Sequence, residues 1–415
     1  MFVSLFRSFA AANPAKPAVV CANASITYGQ MELEVRRVSK SLALMEVEQG
    51  SRVVLALPNS IHTLVLYHAL ADCGAVIIPL SRDLTVEAIA HCVEDARPRF
   101  CLVSGGLALC YQKVCAALGV GQVVSECTRP YSLTEMVSRD PACIRPLPKI
   151  LPDHELMIHY HWRPQRQSRS HWSGVVQTHR HLIQRLLSWS HSAGLGAADS
   201  TLCADALSDP LALETLALPA LATGQTLHLM DPVAASPQRV VRRIRDHGIR
   251  VFGSRPDFYR QLLMGAAGSV GGDDTDLSSL RIALCDTAGL AGNPAPEFRR
   301  CFAASLNYAF SLPQTGLALV DFTGADCDGG IPIGQPIEGV RASLKHSESG
   351  WDGVGELYLR SEHFAQRNTA RKALLDGLGG VATGILVRRH GGRFYRLDEW
   401  APSGVHESPG VYLPA

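Results

Sequence analysis

The side chains with the most obvious chemical potential are arginines that cluster in one segment. The stretch from 159 to 185 carries five of them: Arg163, Arg166, Arg169, Arg180 and Arg185. No carboxylate lies between Glu155 and Asp199 to neutralise them locally. A guanidinium presents a planar fork that suits phosphate and carboxylate groups. The spacing therefore favours an anion-binding site at Arg163, Arg166 and Arg169, and a solvated loop that tolerates arginine is the alternative.

Histidine and cysteine patterns give less support for chemistry. Four histidines lie close together in the chain: His154, His159, His161 and His171. Their spacings of 5, 2 and 10 fit no strong zinc-ligand pattern. The 12 cysteines include no Cys-x-x-Cys pair, and no G-x-S-x-G nucleophile motif occurs. We therefore predict no metal site and no disulfide framework, and we expect most cysteines to be buried thiols.

The elements that would position these residues alternate between helix and strand. In the first 150 residues, helical spacing at 31–46, 61–73 and 85–95 alternates with apolar strand-like runs at 52–57, 75–80 and 99–103. The second half repeats this alternation, with strands predicted at 226–231, 249–254 and 280–286 and helices at 237–247 and 256–264. Strands that are separated by single helices favour parallel pairing with both sheet faces covered.

The character of the sequence changes after residue 331. Segments such as GVRASLKH, GELYLR and GGRFYRL are punctuated by glycine and predict a β-rich unit. The fold class is therefore α/β, with two α/β subdomains that contain mixed, mostly parallel sheets, followed by a small β-rich subdomain. We expect these units at 1–155, 156–330 and 331–395, and a short remnant at 396–415. The composition of 266–276 predicts a flexible loop.

Composition excludes several partner classes. The formal net charge is only +1, so no strong field attracts nucleic acid or an anionic membrane. No run of about 18 uncharged apolar residues occurs, so we expect no membrane span. The mildly apolar N-terminus is interrupted by Arg7, which favours an N-terminal helix over a signal peptide. We therefore expect a cytoplasmic protein.

Six segments, in order, resemble one family. The runs are ITYGQMELEVRRVSKSLA, GSRVVLALPNS with ADCGAVIIPLSRDL, GVVQTHRHLI, DLSSLRIAL, IGQPIEGV and GELYLR. Together they are similar to the large N-terminal domain of adenylate-forming enzymes, which include acyl-CoA synthetases, aryl-acid ligases and peptide-synthetase adenylation domains. The resemblance covers about residues 5 to 409. It implies that an acid reacts with Mg-ATP to give an acyl-adenylate, which a thiol then captures.

The resemblance assigns site residues, and several depart from the family pattern. The glycine-rich phosphate loop is replaced by HYHWRPQRQSRSHW, which has no glycine to wrap a phosphate. The aromatic-Gly-x-Thr-Glu motif becomes Tyr308-Ala309-Phe310-Ser311-Leu312, and leucine cannot bind Mg²⁺. Tyr308 is then either a retained adenine shelf or a packed aromatic, while Ser311 can replace the threonine hydroxyl.

Further departures follow. Asp286, Thr287 and Ala288 stand where the family has Gly-Gly-Ala, which leaves the backbone open to the adenine. Ile385 replaces the family's aspartate, whose carboxylate binds the ribose hydroxyls. Arg396 resembles the family's phosphate-contacting hinge arginine, although a surface charge cluster is the alternative. The resemblance thus predicts a nucleotide and acyl cleft made of Thr178, His179, Asp286, Thr287, Ala288, Tyr308, Ser311 and Arg396. After Arg396 we expect only a hinge remnant and no C-terminal lid domain.

These departures define the functional hypotheses. The first is a divergent acid–thiol ligase, acting on an acyl or aryl acid with CoA or an acyl carrier protein, with weak or lost ATP-dependent activity. The second is a non-catalytic protein that binds an acyl group or a carrier protein, and the third is transfer between thioesters without ATP. ATP and Mg²⁺ are then expected to bind poorly, and the arginines would contact CoA, phosphopantetheine or an acidic carrier surface. A reading-frame error within 159–173 is a further explanation for that segment.

Overall fold

The computed structural model describes most of the chain. The described residues are 2–22, 24–125, 147–163, 171–267, 276–290, 292–323, 330–346, 353–370 and 372–397. Arg166, Arg169 and most of the predicted loop at 266–276 therefore lie outside the described residues, as does nearly all of the predicted remnant after Arg396.

Twenty strands are found in this part of the chain. In order they are β1 Pro17–Cys21, β2 Ala24–Thr27, β3 Arg52–Ala56, β4 Val76–Pro79, β5 Phe100–Val103, β6 Gln122–Val124, β7 Glu155–Arg163, β8 His171–Thr178, β9 Ser200–Cys203, β10 Thr226–Leu229, β11 Val251–Ser254, β12 Ile282–Asp286, β13 Leu306–Leu312, β14 Gly316–Asp321, β15 Ile331–Pro336, β16 Arg341–His346, β17 Val354–Arg360, β18 Arg367–Asn368, β19 Gly380–His390 and β20 Arg393–Arg396.

Helices alternate with these strands as the sequence predicted. The α-helices are α1 Phe2–Ala12, α2 Tyr28–Leu44, α3 Ile61–Asp72, α4 Val86–Ala96, α5 Ala108–Leu118, α6 His179–Ser192, α7 Leu218–Ala222, α8 Pro237–His247, α9 Pro256–Ala267 and α10 Ala295–Phe302. A π-helix at Leu211–Ala217 precedes α7, and short 3₁₀ turns lie at Gly105–Leu107 and Pro232–Ala234. Each of the helices α2, α3, α4 and α6 begins where a Ser or Thr hydroxyl caps a free backbone N–H.

The strands form two sheets, and the central strands of each sheet run parallel to one another. The seven-stranded sheet has the order β18-β8-β7-β4-β3-β5-β6, and its pairs from β7 to β6 are parallel. The thirteen-stranded sheet has the order β16-β17-β19-β20-β15-β14-β13-β12-β11-β9-β10-β1-β2, and its run from β13 to β1 is parallel. The predicted α/β fold with two sheets and a β-rich C-terminal part is confirmed. Among the described residues, no helix is long and apolar enough to span a membrane.

Strand pairing crosses the sequence boundary expected at residue 155. Strand β1 pairs with β10 in the large sheet and β2 pairs with β1 at its edge, whereas β7 and β8 join the sheet of the N-terminal half. The largest apolar core contains residues of both sheets, including Val53, Ile77, Leu229 and Leu284. The two halves therefore share one core, and the expected subdomain limits do not coincide with the limits of the sheets.

The replaced phosphate loop is partly a hairpin. His159 pairs with Val175, and Arg163 pairs with His171, so strand structure continues well into the arginine segment. The prediction of a loop from 159 to 172 is therefore wrong at both ends. Both faces of β7 are covered, because Ile158 and Tyr160 are buried as well as His159 and His161. The two histidines therefore occupy positions where an apolar side chain would lie in a strand.

Candidate functional site

Polar residues gather where the parallel strands of the large sheet end. Asp205 follows β9, Arg255 follows β11, and Asp286 is the last residue of β12. Strands β9, β11 and β12 are parallel neighbours, so their carboxyl ends lie along one edge. Open α/β sheets bind ligands in the crevice outside this edge. This edge is therefore the candidate cleft.

Two further carboxylates join Asp286 at the edge. The Ser254 hydroxyl donates to Asp205 Oδ2 at 2.8 Å, and Leu211 N donates to Asp209 Oδ1 at 2.8 Å, which caps the π-helix. Asp205 and Asp209 are half-buried, whereas Asp286 is only 7% exposed. The exposed guanidinium of Arg255 lies close enough to lower the pKa of both Asp205 and Asp209.

Burial governs the ionisation of these groups. Burial, with a smaller contribution from the charges of Asp209 and Asp205, raises the pKa of Asp286 to about 7, although the backbone N–H groups of Ala288 and Thr287 act to lower it. Burial and the charge of Asp209 likewise raise the pKa of Asp205 to about 6. Like charges at close range disfavour full ionisation. The cleft therefore gains negative charge as the pH rises through the neutral range.

Asp286, Tyr308 and Arg396, which sequence analysis assigned to one cleft, do lie together. Asp286 pairs with Ala309 beside Tyr308 in the register of β12 and β13. The Arg396 guanidinium donates to the carbonyl of Thr287 at 2.7 Å and also to the carbonyl of Leu290. The assigned residues from β12, β13 and β20 are therefore brought to one place by the tertiary structure.

Tyr308 is not an open shelf. Its side chain is 0% exposed and lies in an apolar cluster with Phe298 and Phe302. Its hydroxyl donates to the side chain of Asn293 and accepts from Ala295 N at 3.1 Å. The alternative of a packed aromatic is therefore the one seen in this structure, since no face of the ring is exposed.

The positions assigned to metal and ribose have no oxygen ligand of the expected kind. Leu312 is buried in the main apolar core, and Ser311 is half-buried beside it in β13. Ile385 packs against the same core, while the Thr383 hydroxyl donates to Leu357 O at 2.8 Å. Among the described residues, no group of three His, Cys, Asp or Glu side chains could hold a metal ion.

Thr178 and His179 lie on the other sheet. Thr178 ends β8 and caps α6, where its hydroxyl accepts from His181 N at 3.3 Å. His179 is fully buried, and burial lowers its pKa to about 4, so it is neutral. Neither ring nitrogen of His179 has a hydrogen-bond partner among the described residues. Their contacts hold the start of α6 and do not join them to the group around Asp286.

Two of the five arginines are neutralised within the protein. Arg180 pairs with Asp153 at 2.7 Å on the surface, and Arg185 Nη1 lies 3.2 Å from Glu214 Oε2 in the interior. The inference that no carboxylate is near them is wrong, because the fold supplies acids that are distant or lie on another element. Arg163 lies at the end of β7 with no described side chain, so the proposed anion contact of Arg163, Arg166 and Arg169 stays a prediction.

Sequence analysis missed a buried polar network around Glu214. Gln177 Nε2 donates to Glu214 Oε1 at 2.8 Å, His159 Nε2 lies 2.8 Å from the same oxygen, and Arg185 holds the other. Arg185 also donates to the carbonyls of His363 and Gln314. Burial alone would raise the pKa of Glu214, but His159, Arg185 and Gln177 lower it to about 2. Glu214 therefore stays ionised and ties the π-helix to β7, β8 and α6.

Sequence analysis also missed Asp205 and Asp209. A signal was present, because Asp205 lies two residues after the apolar run TLC and Asp209 four residues further on, while Asp286 directly follows LRIALC. Acids at the ends of parallel strands meet at one edge. The pairing order of the strands was needed to show that β9 and β12 are separated by β11 alone.

The sequence is similar to a known family and to known proteins. A family model described as "AMP-binding enzyme" matches residues 6–160 and 173–367, so its match is interrupted at the arginine segment. A dimodular nonribosomal peptide synthase of Bacillus subtilis (strain 168) is 22% identical over 408 residues, which cover 96% of this chain and 16% of that protein. A fatty acid–[acyl-carrier-protein] ligase, ScoC, of Streptomyces coeruleorubidus is 27% identical over 104 residues, which cover 25% of this chain and 20% of that protein.

Solved structures share the fold. The anthranilate CoA ligase AuaEII in complex with anthranoyl-AMP superposes with a TM-score of 0.82 at 18% identity, covering 95% of this chain and 76% of that chain. ATP-bound MatB from Rhodopseudomonas palustris gives 0.80 at 18% identity, covering 95% and 78%. The chain thus spans a fifth or less of the two curated relatives and about three quarters of these two structures.

Proposed function

Because the chain belongs to the AMP-binding enzyme family of adenylate-forming proteins, we propose that it is a divergent acid–thiol ligase that binds an acyl or aryl group and has weak or lost ATP-dependent activity. The thiol partner would be CoA or the phosphopantetheine of an acyl carrier protein. The proposal depends on the nucleotide side of the cleft, where the residues present must be compared with what Mg-ATP requires.

The observation that carries the proposal is the state of Asp286, Tyr308 and Arg396. Asp286 places a carboxyl group at the end of β12, and it becomes negative near pH 7. A phosphate chain is anionic, so a carboxylate there opposes its binding. Arg396 donates to the carbonyls of Thr287 and Leu290, and the ring of Tyr308 is fully buried. Neither the cation nor the aromatic is thus presented as a nucleotide contact.

Mg-ATP also lacks hard ligands at the assigned positions. Leu312 and Ile385 offer only hydrocarbon, and both pack against the main core. Mg²⁺ needs oxygen ligands in near-octahedral geometry, and ribose hydroxyls need an acceptor. The residues present do not fit Mg-ATP, so we derive no adenylation step through it.

Polar residues at the edge of the large sheet support retained binding of an acid. Asp205, Ser208 and Asp209 keep exposed surface at the edge of the large sheet, and Arg255 is exposed beside them. Arg255 is a cation that can pair with the carboxylate of an organic acid. Binding of an acid without activation is the second candidate function, and the internal contacts of Arg396 favour it over full catalysis.

Titration separates these functions. We expect isothermal titration with Mg-ATP to give no binding in the range of about 1 µM–1 mM that is common for enzyme substrates. Over a panel of acyl and aryl acids, at least one acid should raise the melting temperature, while pyrophosphate release with ATP and CoA stays at background. Acid binding without pyrophosphate release would favour the non-catalytic protein. Micromolar Mg-ATP binding with acid-dependent pyrophosphate release would overturn the proposal that ATP-dependent activity is weak or lost.

Back-substitution sharpens the test. Asp286→Gly with Leu312→Glu restores the residue types of the family at the adenine and metal positions. If these two losses are what weakens nucleotide binding, the double variant should bind Mg-ATP more tightly than the parent. The matched control is Asp83→Gly with Leu33→Glu, at two exposed positions. This control should leave the affinity for Mg-ATP unchanged.

The arginine segment is proposed to contact the thiol partner. CoA and carrier proteins are anionic, and exposed charges are screened over about 8–10 Å at physiological salt. Replacing Arg163, Arg166 and Arg169 with Ala should weaken binding of CoA or an acidic carrier protein at low salt and leave the melting temperature unchanged. Equal binding by the parent and the triple variant, at low and high salt, would remove this part of the proposal.

A further inference from the structure

Two cysteines far from the strand-end cleft lie in direct contact. Cys101 is in β5 and Cys115 is in α5, which packs over that strand, and their sulfur atoms are 3.7 Å apart. Both are free thiols, and their exposures are 0% and 4%. A disulfide requires S–S of about 2.05 Å, so a movement of less than about 2 Å would bring the sulfurs to bonding distance. The two sulfur atoms are therefore near bonding distance although no disulfide joins them.

A surface groove reaches this pair. It has a volume of about 470 Å³ and is lined by Cys115 with Gln112, Ala116 and residues 119–123. Gly121 lies over the sulfurs, because a Cβ there would be 3.4 Å from Cys115 Sγ and 3.7 Å from Cys101 Sγ. Gly121 therefore packs closely against both atoms. Cys115 is the cysteine of the pair that lines the groove, so a small reagent in the groove meets Cys115 before Cys101.

The two thiols influence each other's acidity. The two thiols share a hydrogen bond, in which either sulfur can be the donor, and this contact lowers the pKa of Cys115 and raises that of Cys101. Removing one proton from such a pair is favoured by the hydrogen bond, and removing the second is opposed by the first charge. The thiolate, which is the nucleophile, thus forms at the sulfur that lines the groove.

A buried hydroxyl completes the arrangement. Tyr111 lies on the same helix as Cys115 and is 0% exposed. Its hydroxyl has no hydrogen-bond partner among the described residues. It lies near enough to the sulfurs that, beyond the effect of burial, a charge on Cys101 would raise its pKa. An unpaired buried donor is costly, and a thiolate or an S–OH group beside it would supply the missing acceptor.

We propose that Cys101 and Cys115 form a reversible redox dithiol, which a hydroperoxide entering through the groove oxidises to a disulfide. The Cys115 thiolate attacks the outer oxygen of the peroxide, the O–O bond breaks, and the leaving alkoxide takes a proton to become an alcohol. Cys101 sulfur then attacks Cys115 sulfur, and hydroxide leaves as water with the Cys101 proton. Two thiols lose two electrons, the peroxide gains them, and a dithiol reductant restores the pair.

This site is independent of the proposed ligase function. It lies in the seven-stranded sheet, where β5 pairs with β3 and β6, whereas the candidate cleft lies at the edge of the large sheet. The disulfide would link two cysteines 14 positions apart and join α5 to β5 covalently.

Hydrogen peroxide treatment of the full chain, followed by alkylation and peptide mass mapping, tests the proposal. The expected product is a peptide pair joined through Cys101 and Cys115, two hydrogen atoms lighter than the thiols and reversed by dithiothreitol. Cys115→Ser should abolish it, and Cys101→Ser should leave a sulfenic acid at Cys115 that dimedone traps. Cys92→Ser, at a buried cysteine of the neighbouring helix α4, is the control and should leave the cross-link intact.

A second probe avoids reliance on variants that fail to fold. Phenylarsine oxide bridges two adjacent thiols, so the native protein should bind it and lose alkylation at Cys101 and Cys115 together. The proposal is overturned if both cysteines remain fully alkylated after peroxide and arsenical, or if peroxide joins other cysteines instead.

Discussion

A single arginine can be a surface charge or a structural cross-link, and the local sequence does not distinguish them. Arg180 and Arg185 lie five residues apart in one helix, α6. Arg180 is exposed beside Asp153, whereas Arg185 is buried and bonded to Glu214 and to two carbonyls. The difference arises because only Arg185 faces the π-helix. Their substitutions should therefore differ sharply.

Arg185→Met is expected to lower the free energy of unfolding by about 3–5 kcal/mol, because it leaves Glu214 buried without its cation. Arg180→Met removes an ion pair that water already screens and should change the free energy of unfolding far less. Urea denaturation of both variants beside the parent measures the difference. Similar losses for the two variants would contradict the buried network.

Asp286 gives a pH dependence with a definite sign. Its folded pKa of about 7 lies above the ordinary value of 3.8, so the folded state binds the proton more tightly than the unfolded state. The associated stability is complete below about pH 4 and is lost as the pH rises towards 7. The Asp286→Asn variant does not lose this stability, because an amide side chain does not ionise. Between about pH 5 and about pH 8, the variant should gain about 2–3 kcal/mol relative to the parent.

Urea titrations at the two pH values measure this gain, with Asp83→Asn at an exposed site as the control. A gain that is the same at both pH values would mean that Asp286 is not held neutral by burial.

At the level of elements, strand β15 joins the β-rich C-terminal part to the rest of the large sheet. It pairs with β14 on one side and with β20 on the other, where Ile331 lies opposite Arg396. Gly334 interrupts the register with a φ of +88°, and a Cβ there would overlap the backbone of Val320 and Asp321. The position of Arg396 in the candidate cleft therefore depends on a glycine 62 residues away.

Gly334→Ala should lower the free energy of unfolding by more than about 2 kcal/mol, because the added methyl cannot fit and the backbone angle is strained. Gly196→Ala is the matched control, since a Cβ there meets nothing within 4 Å. Thermal denaturation compares the two. A Gly334→Ala variant as stable as Gly196→Ala would show that β14 and β15 pack less closely than described.

For the whole molecule, one core joins the two sheets, and polar bonds cross between them. Asn59, at the start of α3, donates to the carbonyls of Asp205 and Met230 at 2.8 Å each and accepts from Leu207 N at 2.9 Å. Asn59 follows β3 of the seven-stranded sheet, and its partners follow β9 and β10 of the large sheet. The candidate cleft is therefore braced from the opposite half of the protein.

Asn59→Ala should lower the free energy of unfolding by about 2–4 kcal/mol through the loss of three hydrogen bonds. Unfolding should remain a single transition, with circular dichroism and tryptophan fluorescence changing together, because the core is shared. The exposed Asn13→Ala is the control. Two separated transitions in either variant would contradict the single core.

The sequence by itself determined the order and type of most elements and the family. Hydrophobic periodicity is local, so the helix at 237–247 was predicted with its observed bounds, and the strands at 52–57 and 280–286 to within two residues. The motif positions of Asp286, Tyr308 and Arg396 also followed from the order of segments. Asp286 and Tyr308 are brought together by the parallel pairing of β12 and β13, whereas Arg396 reaches them from the antiparallel strand β20.

The tertiary structure decided which charges are paired and which faces are buried. Tyr308 is a packed core residue because α10 and Asn293 cover it, and nothing in its own segment shows that. Arg185 finds Glu214, and Asp205 joins Asp286, only through strand and helix packing. Electrostatic partners are set by distance in space, and chains of alternating helices and strands bring together residues that lie far apart in sequence.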